Sequence, residues 1–232
     1  FRSTDQGRDP VNYPRQNQTR ISRSVWNEQC TNEGFKILDM RNVTLALAVA
    51  GILVIGFSCD SSQSEAERKK TDSLFLGISL GMGKKDFYDH CWSMNKQGLV
   101  VQGPSNMNIE YHFIHEAVRD TIIMRFYPTF HEEKISEMPV VYSYNAWAPW
   151  NRQFWADTLL TEMVKVYQDY YGEDFKVLEH KTTGKIYYQM KGKRRINLFK
   201  RDDQFVQAVF TDLKIEKELK EKQQEEQKQM SQ

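Results

Sequence analysis

The sequence predicts an α+β domain: antiparallel meander sheet with two packed helices, followed by a charged C-terminal helix. Three observations carry this. Short apolar runs of period two recur between turn residues. Two longer stretches repeat at helical spacing, and each is closed by a glycine. Beyond residue 213 the chain is highly charged and loses its apolar stripe after Leu219.

The elements follow in order. Leu74, Leu76, Ile78, Leu80 and Met82 alternate with Phe75, Gly77, Ser79 and Gly81, which predicts a strand. In "GKKDFYDHCWSMNKQG", Phe87, Cys91 and Met94 share one helical face, and Gly98 is placed just past the helix end. "GPSN", Gly103 to Asn106, marks a loop. Ile109, Tyr111 and Phe113 alternate with Glu110 and His112, and Ile122, Met124 and Phe126 with Ile123 and Arg125. "MPVVYSYNAW" is a third strand-like run. Pro149 is well placed at a helix start, and Trp155, Leu159, Met163, Val166 and Tyr170 form a stripe that Gly172 stops. "FKVLEHK", "KIYYQMK", "RRINLFKR" and "QFVQAVFTD" then predict an antiparallel meander. The order reads as a duplicated α-plus-meander unit spanning 71–213, although the halves share almost no residues. Residues 214–232 form a charged helical tail, with Glu216–Lys220 and Glu218–Lys222 at i, i+4.

Upstream, Arg41 precedes an apolar run from Val43 to Phe57. At 1.5 Å per residue the run covers about 22 Å, short of the roughly 30 Å of bilayer hydrocarbon. Small Gly56 and Ser58 come before Cys59, and a polar stretch over 59–70 suits a flexible tether. "VIGFSCDSS" resembles the looser lipobox of Bacteroidetes-type bacterial lipoproteins. The resemblance implies that 40–58 is a lipoprotein signal peptide and that Cys59 is acylated as the mature N-terminus. An uncleaved anchor and an ordinary cleaved signal are the alternatives. Residues 1–39 are polar and without apolar period, which predicts disorder. They read as an extension upstream of Met40, with a cytoplasmic N-region as the alternative.

The net charge is +1, so no global field steers the chain towards nucleic acid, which is not an expected partner. Of three cysteines, Cys30 lies upstream and Cys59 would carry lipid, leaving Cys91 with no intramolecular disulfide partner.

Each candidate for chemistry has a plainer reading beside it. "GISLG" matches the G-x-S-x-G nucleophile elbow with Ser79 at its centre. The predicted strand runs through it, and no oxyanion loop precedes it. His90–Cys91 could be a base and thiol, but neighbours on a helix point apart, and Cys91 lies on the apolar stripe. His112 and His115 fall on opposite faces of an extended strand, which defeats a shared metal with His131, Glu132 or Glu133. "KGKRRINLFKR" reads as a solvated hairpin, or as a contact for anionic lipid or acidic glycan. "YNAWAPWNRQFW" groups aromatic residues with arginine, the composition of binding hot spots. There Trp147, Trp150 and Arg152 are the candidate binding residues, and a structural joint between the halves is the other reading.

"FLGISLGMGKKDFYDHCWSMNKQGL", "MPVVYSYNAWAPW" and "AVFTDL" resemble an uncharacterised group of Bacteroidetes lipoproteins over Asp72 to Leu213. That group has no established activity to carry over. "LGMGKKDF" resembles the helix entry of small lipoproteins of outer-membrane β-barrel assembly. Those proteins, and the tandem-repeat β-lactamase inhibitor proteins, pack helices on an antiparallel meander, which bears on fold alone. The expected function is a lipid-anchored protein of the bacterial cell envelope, a non-enzymatic binding or assembly module without cofactor. Its expected partners are the membrane, through the lipid, and a protein or glycan. The alternative is a small envelope hydrolase using Ser79 or Cys91.

Overall fold

A computed structural model describes residues 71–230. The expected upstream extension, signal peptide and tether, with Cys59, lie outside the described residues. Helix α1 spans Lys84–Lys96, and strands β1 Val100–Gln102, β2 Ile109–Phe113, β3 Ile122–Phe126, β4 Thr129–His131 and β5 Lys134–Tyr144 follow. Helix α2 spans Ala156–Tyr171, followed by β6 Lys176–His180, β7 Gly184–Lys191, β8 Arg194–Lys200, β9 Val206–Asp212 and helix α3 Leu213–Met230.

All the described strands join one antiparallel sheet in the order β1-β2-β3-β5-β9-β8-β7-β6, with β4 paired to β5. Each half therefore runs helix first, then strands from the sheet edge inwards, and the final strands meet where Tyr142 faces Val206 and Glu137 faces Thr211. The first half contributes five strands, including β4 off the main path, and the second contributes four. One sheet face carries the core, including Met124, Phe126, Val140, Tyr142, Leu198, Ala208 and Phe210. Helix α2 adds Leu159, Met163, Val166 and Tyr167 to it. The other face bears half-exposed Val141, Phe199, Val209 and Tyr188.

Helix α1 forms as its stripe predicts, burying Phe87, Cys91 and Met94. Gly98 has φ 70 and lets the chain reverse, so Leu99 N–H reaches the Met94 carbonyl at 3.0 Å and Gly98 N–H reaches Asn95 at 2.9 Å. Gly172, at φ 105, ends α2. Asp212 caps α3, its Oδ1 accepting from Lys214 N–H at 3.0 Å. Arg195 holds Glu216 in the first turn with two bonds of 2.9 and 3.1 Å. Beyond that turn α3 is exposed, with Glu216–Lys220 paired at 3.0 Å.

Three expectations need correction. Residues 74–82 are not a strand. Leu74, Phe75, Leu76, Ile78 and Leu80 are all buried, so there is no face to alternate with. The segment is a compact loop in which Leu76 and Gly77 take φ 50 and 75, and Leu74 N–H bonds across it to Ile78 O at 2.9 Å. Helix α2 begins at Ala156 rather than near Pro149, and Trp155 is its N-cap rather than part of its stripe. The third strand starts at Lys134, four residues before "MPVVYSY", as one arm of a hairpin with β4. Its turn is Glu132–Glu133, both at positive φ, a conformation usually signalled by Asn-Gly.

Candidate functional site

The sequence's aromatic cluster lies where β5 hands over to α2. Asn145 N–H is taken by the Thr121 carbonyl at 2.9 Å. Pro149 then keeps Ala148 out of the helical region, so the chain turns a corner instead of starting a helix. Asn151 N–H closes back on Ala148 O at 2.9 Å, and a short 3-10 turn, Arg152–Phe154, leads into α2. The first helical residue is fixed by Ala156 N–H on the Asp203 carbonyl at 2.9 Å.

The corner separates the three predicted binding residues. Trp147 packs half-buried against the core, its indole N–H buried without an acceptor. Trp150 is 86% exposed. Arg152 is exposed too, with its guanidinium 5.3 Å from the centre of the Trp155 ring. Trp150 and Arg152 thus present an outward surface, and Trp147 belongs to its foundation.

Behind the corner lies a polar network centred on buried Glu162 and Tyr144, with the Arg119 side chain exposed. Glu162 accepts Tyr144 O–H at 2.5 Å, Arg119 Nε–H at 2.7 Å and the Arg119 backbone N–H at 3.2 Å. Arg119 also donates to the Gln153 carbonyl at 3.4 Å, just behind the corner. A carboxylate this buried is tolerable because donors replace its water. A shallow depression lined by Arg119, Asp157, Thr158, Thr161, Glu162 and Lys165 opens here. Its one buried carboxylate is already committed to these three donors. Lys200 bridges Asp157 and Asp203 at 2.8 and 3.0 Å, tying α2 to the β8–β9 turn.

The nucleophile candidates occupy different surroundings from those the sequence suggested. Ser79 sits in a turn, its carbonyl accepting Met82 N–H at 3.2 Å, so the argument from strand phase does not apply. The motif's glycines, Gly77 and Gly81, both serve left-handed backbone, and the strained non-glycine residue is Leu76. His90 is bonded through Nε2 to the Leu76 carbonyl at 2.6 Å. Burial pushes the Cys91 thiol up to about 12, which keeps it protonated and unreactive at neutral pH. His112 pairs with Glu110 at 2.6 Å, which also accepts from Arg125 at 2.7 Å. His115 is buried beyond the strand end and sits 3.4 Å from Asp169. Among the described residues no three ligands gather for a metal.

The basic run is not a simple solvated hairpin. Lys193 bridges Asp72 and Asp212 at 3.2 and 3.0 Å. Arg194 is buried, donating to the Ser73 carbonyl at 2.5 Å and lying 4.9 Å from the Tyr171 ring centre. These contacts fasten the incoming chain to the sheet.

Sequence reasoning missed a second aromatic surface. Tyr88 and Trp92 stand on the outer side of α1, 43% and 61% exposed, and Tyr127 beside them is 40% exposed. The signal was available: these residues are i, i+4 neighbours off the Phe87–Cys91–Met94 stripe. Their juxtaposition with Tyr127 was not, because it depends on how β3 meets α1. Compared with protein-family models, curated proteins and solved structures, the chain matches none of them.

Proposed function

We propose that this is a lipid-anchored protein of the bacterial cell envelope that recognises a protein or glycan partner and performs no chemistry of its own. The observation that carries the reading is the placement of Trp150. The chain enters the domain at Asp72, whose carbonyl accepts Leu80 N–H at 2.9 Å and whose side chain meets Lys193 beside Asp212. Trp150 follows the far end of β5, where Tyr142 pairs with Val206 at the opposite end of β9. Eleven residues of β5 separate the two ends by about 34 Å. A tether from Cys59 would attach at one end and leave the Trp150–Arg152 corner facing away from the membrane.

A rigid aromatic on a braced corner loses little conformational entropy when it anchors a partner. The anchor itself is supported by the run from Arg41 to Cys59. The hydrolase alternative has weaker support, since Cys91 is buried and protonated and His90 is engaged by Leu76. The test is capture from solubilised membranes by full-length protein and by W150A/R152A. Loss of two hot-spot side chains is expected to weaken capture roughly 10-fold or more, with the melting temperature nearly unchanged. Undiminished capture by that variant would remove the site.

A further inference from the structure

We infer that the outer aromatic face of α1, formed by Tyr88, Trp92 and Tyr127, rests on the lipid headgroup layer when the protein is anchored. This inference rests on the anchoring reading above. The three residues form one surface: Tyr88 and Tyr127 share a hydroxyl hydrogen bond of 2.6 Å, and both rings pack on Phe130, at 6.3 and 6.5 Å. Trp92 lies one helical turn further along α1. Lysines flank it, with Lys96 5.4 Å from the Trp92 ring centre and Lys84 5.7 Å from that of Phe130.

Position selects the occupant. Helix α1 begins at the end of the sheet where the chain enters. Lys84 N–H bonds to Glu133 O at 2.8 Å, Gly81 N–H to Ile135 O at 2.8 Å, and Leu80 N–H to Asp72 O at 2.9 Å. Between Cys59 and Thr71 the chain can span at most about 40 Å, so an acylated Cys59 keeps the entry end within that reach of the bilayer. Trp92 lies about 12 Å along α1 from Lys84. Tryptophan and tyrosine favour the membrane interface because an apolar ring and a polar edge are satisfied there together, and lysine stems reach past them to the headgroups. The lysines also have acidic neighbours: Lys85 pairs with Asp89, and Lys84 with Glu133 at 3.5 Å. The contact therefore rests on the aromatic rings and changes little with salt.

The test uses full-length protein extracted with its anchor and reconstituted into phosphatidylethanolamine–phosphatidylglycerol vesicles containing lipids brominated near the glycerol end of the chains. Flotation reports anchoring, and bromine quenching of tryptophan emission reports contact. The expected result is that the protein floats, W92F lowers the quenching about two-fold, and W150F leaves it unchanged. Flotation with quenching unaffected by W92F overturns this contact while leaving the anchor intact. Quenching lost in W150F instead would place the opposite end at the membrane and overturn it as well. Failure to float removes the anchoring reading and this inference together. Trp92 unquenched in vesicles but cross-linked to a protein in native membranes would assign the face to a protein.

Discussion

Replacing Phe75 by alanine separates a strand from a buried loop in residues 74–82. On a strand with Leu74, Leu76, Ile78 and Leu80 facing the core, Phe75 would point away, and its removal would cost little. In the structure Phe75 is 1% exposed. Its ring meets Phe126 of β3 edge-on at 5.0 Å and Phe210 of β9 at 5.7 Å. Those strands flank the central β5, so the ring ties both halves of the sheet under one loop. Deleting a buried phenylalanine costs about 3–5 kcal/mol. For a domain of this size each kcal/mol lowers the melting temperature by about 2–4 °C, so a drop of roughly 6–20 °C is expected. Urea unfolding should show a lower midpoint with an unchanged slope, since the surface exposed on unfolding hardly changes. A loss under about 1 kcal/mol, the range of a surface substitution, would refute the loop and restore the strand.

Stability should fall on the alkaline side. Burial raises the Cys91 thiol from 9.0 to about 12, and burial also holds Tyr142, Tyr144, Tyr167 and Tyr171 above their ordinary 10.0. The unfolded chain ionises these groups first and binds fewer protons than the native state, so stability declines as pH rises past 9 and more steeply past 10. Each group contributes up to about 1.4 kcal/mol per pH unit. Denaturant midpoints flat to pH 11 would contradict this. E162A leaves the buried Tyr144 hydroxyl without its acceptor, while the exposed Arg119 guanidinium keeps the Gln153 carbonyl and solvent. An unsatisfied buried donor costs about 1–3 kcal/mol, and thermal melts should show the loss even though the domain surface is unaltered. Alkylation of the folded protein at neutral pH should leave Cys91 unmodified, with reaction appearing only in denaturant. Rapid labelling of the native state would show that the thiol is accessible.

What the sequence made legible was what is decided locally. The α1 stripe and its terminating Gly98 sit within one short window, and so do the glycine turns at Gly184 and Gly192 that separate β6, β7 and β8. Pro149 reads as a helix start, but the chain turns a corner there, and the corner exposes Trp150. In the 74–82 loop, apolar residues packed on every side look like a strand when every second one is counted. Gly77 falls on a strand face in that count, although at φ 75 it bends the chain. The β4–β5 turn carried no signal, since Glu132 and Glu133 adopt positive φ only with the hairpin around them. The Glu162 network and the Tyr88–Tyr127 contact join residues 18 to 43 positions apart. No local pattern encodes such pairs.

The most direct measurement is the intact mass of the protein extracted from membranes. The location, the outward-facing Trp150 corner and the membrane contact of α1 all depend on where the mature chain begins. The account predicts a chain starting at Cys59 and carrying added acyl mass. A chain that retains Met40, or begins at any other residue without lipid, would contradict it.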